Sequence, residues 1–385
     1  MLKSSIVKFG AIIVILSSFF LACCRIDNAD TYDKVIILYM AANNNLDSYA
    51  RENVSALKTG YIPMLDDSKV LLLFKHLSGE TPVLVRIYKN SSGLVQEEIV
   101  KTFSGLNSAS AATLEEVLTT VKDDFNASEY GLILWSHSTG WLPEGYFDSH
   151  PVGFSFFEDP FAGIVKSFAY DNGEEMELTD LADAITFKFS FIIFDACFNG
   201  GIETIYELKD KADYIVASPT EILATGFPYN TIMEPLFKDS DLQTVCNQYY
   251  DYYTTGTGYN AATISIYKCD QLTALAQICY TIFQNNRAKI SALNMSLVQP
   301  YFRMNKHWFY DMEDFIRQIA SAGELSQFHT ALSNVVIDKW YTDYFLSIAI
   351  SRYSGISTYV SNPSDSELDL FYKRFKWNIA SGMVQ

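Results

Sequence analysis

The feature that most constrains this chain is a succession of short apolar runs separated by helix-patterned or turn-rich stretches. KVIILYMAA (34–42), KVLLLFKH, PVLVRIYK, GLILWS (131–136), FSFIIFD and DYIVASP have strand length and little polar alternation. Such runs fit strands buried on both faces, as in parallel sheets covered by helices. The intervening sequence supplies those helices. NNNLDSYARENVSAL puts Leu46, Tyr49, Val54 and Leu57 on one side, and SASAATLEEVLTTVKDDF and LTDLADAI carry the same kind of pattern. The expected fold is α/β, a mostly parallel sheet flanked by helices. From about Pro228 onward the sequence reads as mainly helical (TVCNQYYDYY, DQLTALAQICYTIF, MEDFIRQIA, SELDLFYKRFKW), with AATISIYK and YFLSIAISRY as candidate edge strands. The expected organisation is therefore a core over 33–230 and a helix-rich portion over 231–385 packed on it. The stretch 138–177, rich in Gly, Pro, Phe and acids, reads as a surface loop.

Residues 1–23 stand apart. Lys3 and Lys8 precede an apolar run that ends in FFLACC, the charged start and short core of an export signal. That ending resembles the lipidation box of bacterial lipoproteins, with Cys23 as the better candidate and Cys24 the other. The expected location is the bacterial cell envelope, with a lipid anchor holding the chain to a membrane. Four cysteines then remain, Cys197, Cys246, Cys269 and Cys279, too few and too widely spaced for a disulfide scaffold. Five histidines without ligand spacing give no metal motif. A net charge of −17 argues against nucleic acid as a partner, because phosphate binding rests on clustered Lys and Arg.

Two runs end in reactive side chains. His137 follows GLILWS, and Cys197 lies just past FSFIIFD. Ligands of open parallel sheets bind beyond the carboxyl ends of the strands, so adjacent strands would present imidazole and thiol to one crevice. A thiolate attacks a carbonyl, and an imidazole protonates the leaving amine and then activates water. Asn199-Gly200-Gly201 allows a sharp turn after the cysteine, and a helix starting there favours the thiolate. The backbone N–H of Cys197, with that of Ser138 or Gly140, is a candidate oxyanion hole.

LWSHSTGW followed by FDACFNGGIE resembles the clostripain family of cysteine peptidases, which has the caspase-like fold. VIILYMAANNNLDSYA, ASPTEILATGFPY, YDMEDFIRQIA and RYSGISTYVSNP extend the resemblance across roughly 33–363. It implies a caspase-like sheet and a cysteine endopeptidase whose dyad falls on His137 and Cys197. It places Asp195 at the floor of the pocket for the residue before the scissile bond, where a carboxylate suits Arg or Lys. Ser218 and Glu221 would wall that pocket, and calcium is a cofactor that the resemblance admits. The sequence departs from the family pattern at Ser138, at Ser218-Pro219-Thr220-Glu221 and at Phe198-Asn199. Relatives are often activated by cutting between His and Cys. Between 138 and 187 the only Lys or Arg is Lys166, which makes it the processing candidate. A surface-binding lipoprotein that keeps the fold without catalysis is the alternative from another class. An esterase or amidase is a further rival, against which stands the absence of G-x-S-x-G.

Overall fold

A strand buried on both faces has no polar side to alternate with, and the first apolar run shows this directly. In β1 (Tyr32–Ala42) every residue from Lys34 to Ala42 is buried. The computed structural model describes residues 31–146, 168–256, 258–302, 307–361 and 365–385. Cys23, Cys24 and Lys166 lie outside the described residues.

After β1 come the helix α1 (Asp47–Thr59), β2 (Lys69–Leu77), β3 (Val83–Lys89), β4 (Val95–Thr102), the helix α2 (Ala111–Asp124) and β5 (Ala127–Trp135). The hairpin of β6 (Phe168–Asp171) and β7 (Glu174–Met176) is followed by β8 (Phe189–Asp195), β9 (Ala212–Ala217) and β10 (Thr263–Lys268). The short β11 (Tyr310–Asp311) and β12 (Val336–Tyr341) come later. Nine of these strands form one sheet in the order β12-β10-β9-β8-β5-β1-β2-β3-β4. The five central strands from β9 to β2 run parallel, and the outer four are antiparallel to their neighbours. The mostly parallel sheet flanked by helices is the fold expected from the sequence.

Residues 31–385 make one compact unit. β10 and β12, from the helix-rich portion, extend the sheet edge beyond β9. The strand expected at AATISIYK is β10. YFLSIAISRY forms only a short hairpin of two-residue strands, and the long partner of β10 is VIDKWY, upstream of it. β4 was likewise not expected, because its exposed positions fill it with polar residues.

The stretch 138–177 differs from a surface loop at both described ends. Trp141 and Leu142 are buried on one side, and Phe168 and Ala169 on the other. Trp141 packs against Tyr359 and Tyr372 at ring distances of 4.9 and 5.2 Å. Asp171 of β6 accepts from the N–H and hydroxyl of Ser108, both at 2.7 Å, and lies 2.7 Å from the ring of His76. These bonds hold its carboxyl below the usual range despite burial. The hairpin is thus stitched to the ends of the central strands.

Candidate active site

β5 and β8 are adjacent and parallel, and their last register pair is Trp135 with Asp195. His137 and Cys197 each lie two residues further on, at the same end of neighbouring strands, which stand about 4.8 Å apart. His137 is buried and Cys197 half-buried. The other described cysteines are buried, and burial pushes each of their thiols up, Cys269 to about 12.

The turn after the nucleophile candidate is held by backbone bonds to the segment following β9. Phe198 N–H donates to Thr220 O and Gly200 N–H to Ser218 O, both at 2.8 Å. Phe198 itself sits at φ 60, left-handed backbone that costs a non-glycine residue on the order of 1–2 kcal/mol. Its ring, stacked on Phe309 at 4.7 Å, contributes burial that offsets the cost. Gly200 is required by close approach and not by φ, because a Cβ there would lie 2.4 Å from Pro219 N. The helix that follows is short, Ile202–Glu207. Its Glu203 is fully buried and accepts from Tyr359 N–H, the Tyr372 hydroxyl and the Thr358 hydroxyl, with its carboxyl pushed up by desolvation. It ties the C-terminal helices to this corner.

Asp195 is 4% exposed. Both of its protein donors, Phe227 N–H at 3.1 Å and the Tyr229 hydroxyl at 2.8 Å, fall on Oδ2. Desolvation outweighs these bonds and raises the carboxyl to about 7. Among the described residues no basic side chain forms an ion pair with it. Gly226, at φ 66, covers it so closely that a Cβ would stand 2.7 Å from Oδ2.

The remaining sequence candidates divide. Gly140 N–H donates to Ser138 Oγ at 3.0 Å, so that donor is spent inside the loop. Ser218, expected to wall the pocket, is instead turned into a buried hydroxyl cluster, with Thr263 Oγ1 at 2.6 Å and Thr220 Oγ1 at 3.2 Å. Its side chain fixes the 218–221 turn. Glu221 is half-buried next to it, and its carbonyl accepts from the Thr220 hydroxyl. Among the described residues no group of three or more His, Cys, Asp or Glu is arranged to hold a metal ion.

Other residues at the site carry no sequence signal. Asn45, in the loop after β1, accepts at 2.7 Å from His137 Nε2. Asn53 of α1 accepts from Trp135 Nε1 at 2.8 Å and donates to Thr225 O at 2.9 Å. Ile222 N–H lies 3.4 Å from Cys197 Sγ, which in turn lies 3.5 Å from Ile222 O.

The family model described as the clostripain family matches residues 38–360, which takes in both strand ends and the turn between them. The chain belongs to the clostripain family. With it the chain joins the cysteine peptidases. It is 25% identical over 240 residues to clostripain of Hathewaya histolytica, a match covering 54% of this chain and 43% of that protein, so the matched region spans under half of the relative's length. An inactive zymogen C11 protease from Parabacteroides distasonis is 30% identical, with a TM-score of 0.80 over 92% of this chain and 99% of that one. A secreted C11 cysteine protease from Bacteroides thetaiotaomicron, solved with an irreversible peptide inhibitor, is 25% identical, with a TM-score of 0.76 over 91% and 98%.

Proposed function

We propose that the protein is a cysteine endopeptidase in which Cys197 is the nucleophile, His137 the acid/base partner and Asp195 the selector of Arg or Lys before the scissile bond. The observation that carries the reading is that His137 and Cys197 each stand two residues past the last register pair of neighbouring parallel strands, in a chain of this family. Because Nε2 of His137 bonds an amide oxygen, it carries the proton of the neutral ring, and Nδ1 is the basic nitrogen. His137 takes the thiol proton, and the thiolate attacks the peptide carbonyl. The backbone N–H groups of Cys197 and Ser138 receive the developing oxyanion. Collapse of the tetrahedral adduct breaks the C–N bond as His137 gives its proton to the amine, leaving a thioester on Cys197. Water, deprotonated by His137, hydrolyses the thioester and restores the thiol.

The Ile222 N–H stabilises a thiolate by pointing a donor at Sγ. Asp195, buried with no cation paired to it among the described residues and with both donors on Oδ2, leaves Oδ1 to a substrate guanidinium or ammonium. The same reading takes the protein as exported, as the Bacteroides relative is described to be, and anchored through Cys23 or Cys24, with cleavage after Lys166 separating the His and Cys portions.

The test is labelling of the purified chain with an Arg-ending peptide halomethyl ketone. Wild type should gain one adduct, on Cys197, and Cys197→Ala and His137→Ala should each lose at least about 10³-fold in kcat. The double variant should be no worse than the poorer single. Near-full activity in Cys197→Ala removes Cys197 as the nucleophile, whereas a wild type that takes no label and cuts no peptide overturns the reading in favour of a protein that binds without cutting. Mass analysis of the same samples reports lipid on Cys23 or Cys24 and a new N-terminus at Ser167, the latter expected only with Cys197 intact.

A further inference from the structure

The nucleophile and the pocket acid are joined by one short piece of chain. Residues 222–227 form a strap whose first residue meets Cys197 Sγ through the Ile222 backbone and whose last meets Asp195 Oδ2 through Phe227 N–H. Six residues thus set the spacing between the atom that attacks and the group that chooses. The strap has no regular secondary structure of its own, and its internal bond is Gly226 N–H to Leu223 O at 2.8 Å. Its shape depends on what grips its middle.

Asn53 and Tyr253 are among the side chains that do so. Asn53 donates to Thr225 O from the α1 side. Tyr253 also reaches it, fully buried in the π-helical turn Tyr252–Gly256 that continues the helix Leu242–Asp251. A π turn shifts the side chains after it relative to a regular helix, and such turns recur at functional sites. Here the turn carries the Tyr253 hydroxyl to the strap, 2.8 Å from Gly226 O and 2.8 Å from Thr225 Oγ1. One hydroxyl donates to the carbonyl and accepts from the threonine, which uses its donor fully. Gly226 is the residue that covers the Asp195 carboxyl, and Phe227, whose N–H bonds it, comes next in the chain. The rings of Tyr249 and Tyr253 pack at 4.9 Å and those of Phe227 and Tyr249 at 4.6 Å, so the ring of Tyr253 is fixed independently of its hydroxyl.

We propose that Tyr253 is a positioning residue for substrate selection, its hydroxyl pinning the 222–227 strap so that the pocket acid and the nucleophile keep one fixed spacing. This rests on the reading of Cys197 and Asp195 given above. Tyr253 touches neither substrate nor the reacting atoms; it acts through Gly226 and Thr225. Without the hydroxyl the ring remains packed, and the strap loses its grip at the point where it covers the acid.

The experiment compares wild type, Tyr253→Phe and Thr225→Val, which cuts the same contact from the strap side. Each is assayed on the wild type's preferred peptide and on a peptide with a neutral residue before the scissile bond. Both variants should raise KM for the preferred peptide about tenfold, the effect of one buried hydrogen bond, with kcat within about twofold. KM for the neutral peptide and the rate of Cys197 alkylation by iodoacetamide should stay at wild-type values. Combining the substitutions should add little, since both remove one contact. A loss of kcat at unchanged KM, an equal loss on both peptides, or full discrimination in both variants overturns the proposal. If Tyr253→Phe fails to fold, Thr225→Val decides alone. A wild type that cuts as readily after a neutral residue as after Arg overturns the reading of Asp195, an outcome distinct from the three above, and takes the selection role of Tyr253 with it.

Discussion

Under the proposed function, Asp195 ties selectivity to pH, because its fold buries it. Burial raises its carboxyl from the ordinary 3.8 to about 7. In the free enzyme the carboxylate fraction is then about 90% at pH 8, half at pH 7 and about 1% at pH 5. A cationic side chain before the scissile bond interacts with the carboxylate and gains nothing comparable from the neutral acid. The assay uses two peptides that differ only in Arg against citrulline, its uncharged near-isostere. Titration of Cys197 and His137 affects both peptides alike and cancels in the ratio of their kcat/KM values. Above pH 8 the ratio should reach about 30- to 5,000-fold, corresponding to roughly 2–5 kcal/mol for a desolvated charge pair. Below pH 7 it should fall about tenfold per pH unit. The same burial acts on stability with the opposite benefit. A carboxyl raised on folding contributes stability fully present below 3.8 and lost as pH rises through about 7, in total up to ~4 kcal/mol at 1.36 kcal/mol per pH unit. Asp195→Asn, always neutral, should therefore be more stable than wild type at pH 8 while showing a low ratio that does not vary with pH. A wild-type ratio flat between pH 5.5 and 8.5, or an Asn variant that keeps the slope, would refute the reasoning.

Two further outcomes are expected. Asn45→Ala removes the acceptor that fixes the Nε2 proton of His137, and should lower kcat about 10- to 100-fold with KM little changed; stopped assays of kcat across pH check it, and an unaltered kcat removes Asn45 from the mechanism. Gly200→Ala drives a Cβ to 2.4 Å from Pro219 N and 2.6 Å from Ser218 C, both backbone atoms, and should destabilise the fold by about 1–3 kcal/mol, read as a lowered urea midpoint; an unchanged midpoint would mean the turn relaxes freely.

What was legible in the sequence follows from where each residue's partners lie. β1, β2, β5, β8 and β9 are buried strands whose apolar content is local information. β12 and β4 are the two edges of the sheet, with solvent beside them, so polar residues conceal them. His137 and Cys197 were visible because a reactive side chain closes each strand. Asn45, Asn53 and Tyr253 were not, since an asparagine or a tyrosine acquires meaning only from a distant partner. Ser218 shows the converse: its position beyond β9 read as a pocket wall, and only the Thr263 hydroxyl opposite it reveals that the side chain turns inward.

The grip of Asn45 and of α1 on the site also bears on when, under the proposed function, the chain becomes able to cut. Asn45 lies 92 residues from His137, Asn53 lies 172 from Thr225, and Tyr253 is needed later still. Contacts of such separation close long loops, and they form after the local helices and strand pairs. A chain emerging from the ribosome or a translocation pore already carries its imidazole and thiol when residue 197 appears. The strap has yet to follow, and so has the ring that holds it. The order of synthesis alone therefore withholds an assembled cleft until roughly two thirds of the chain is out.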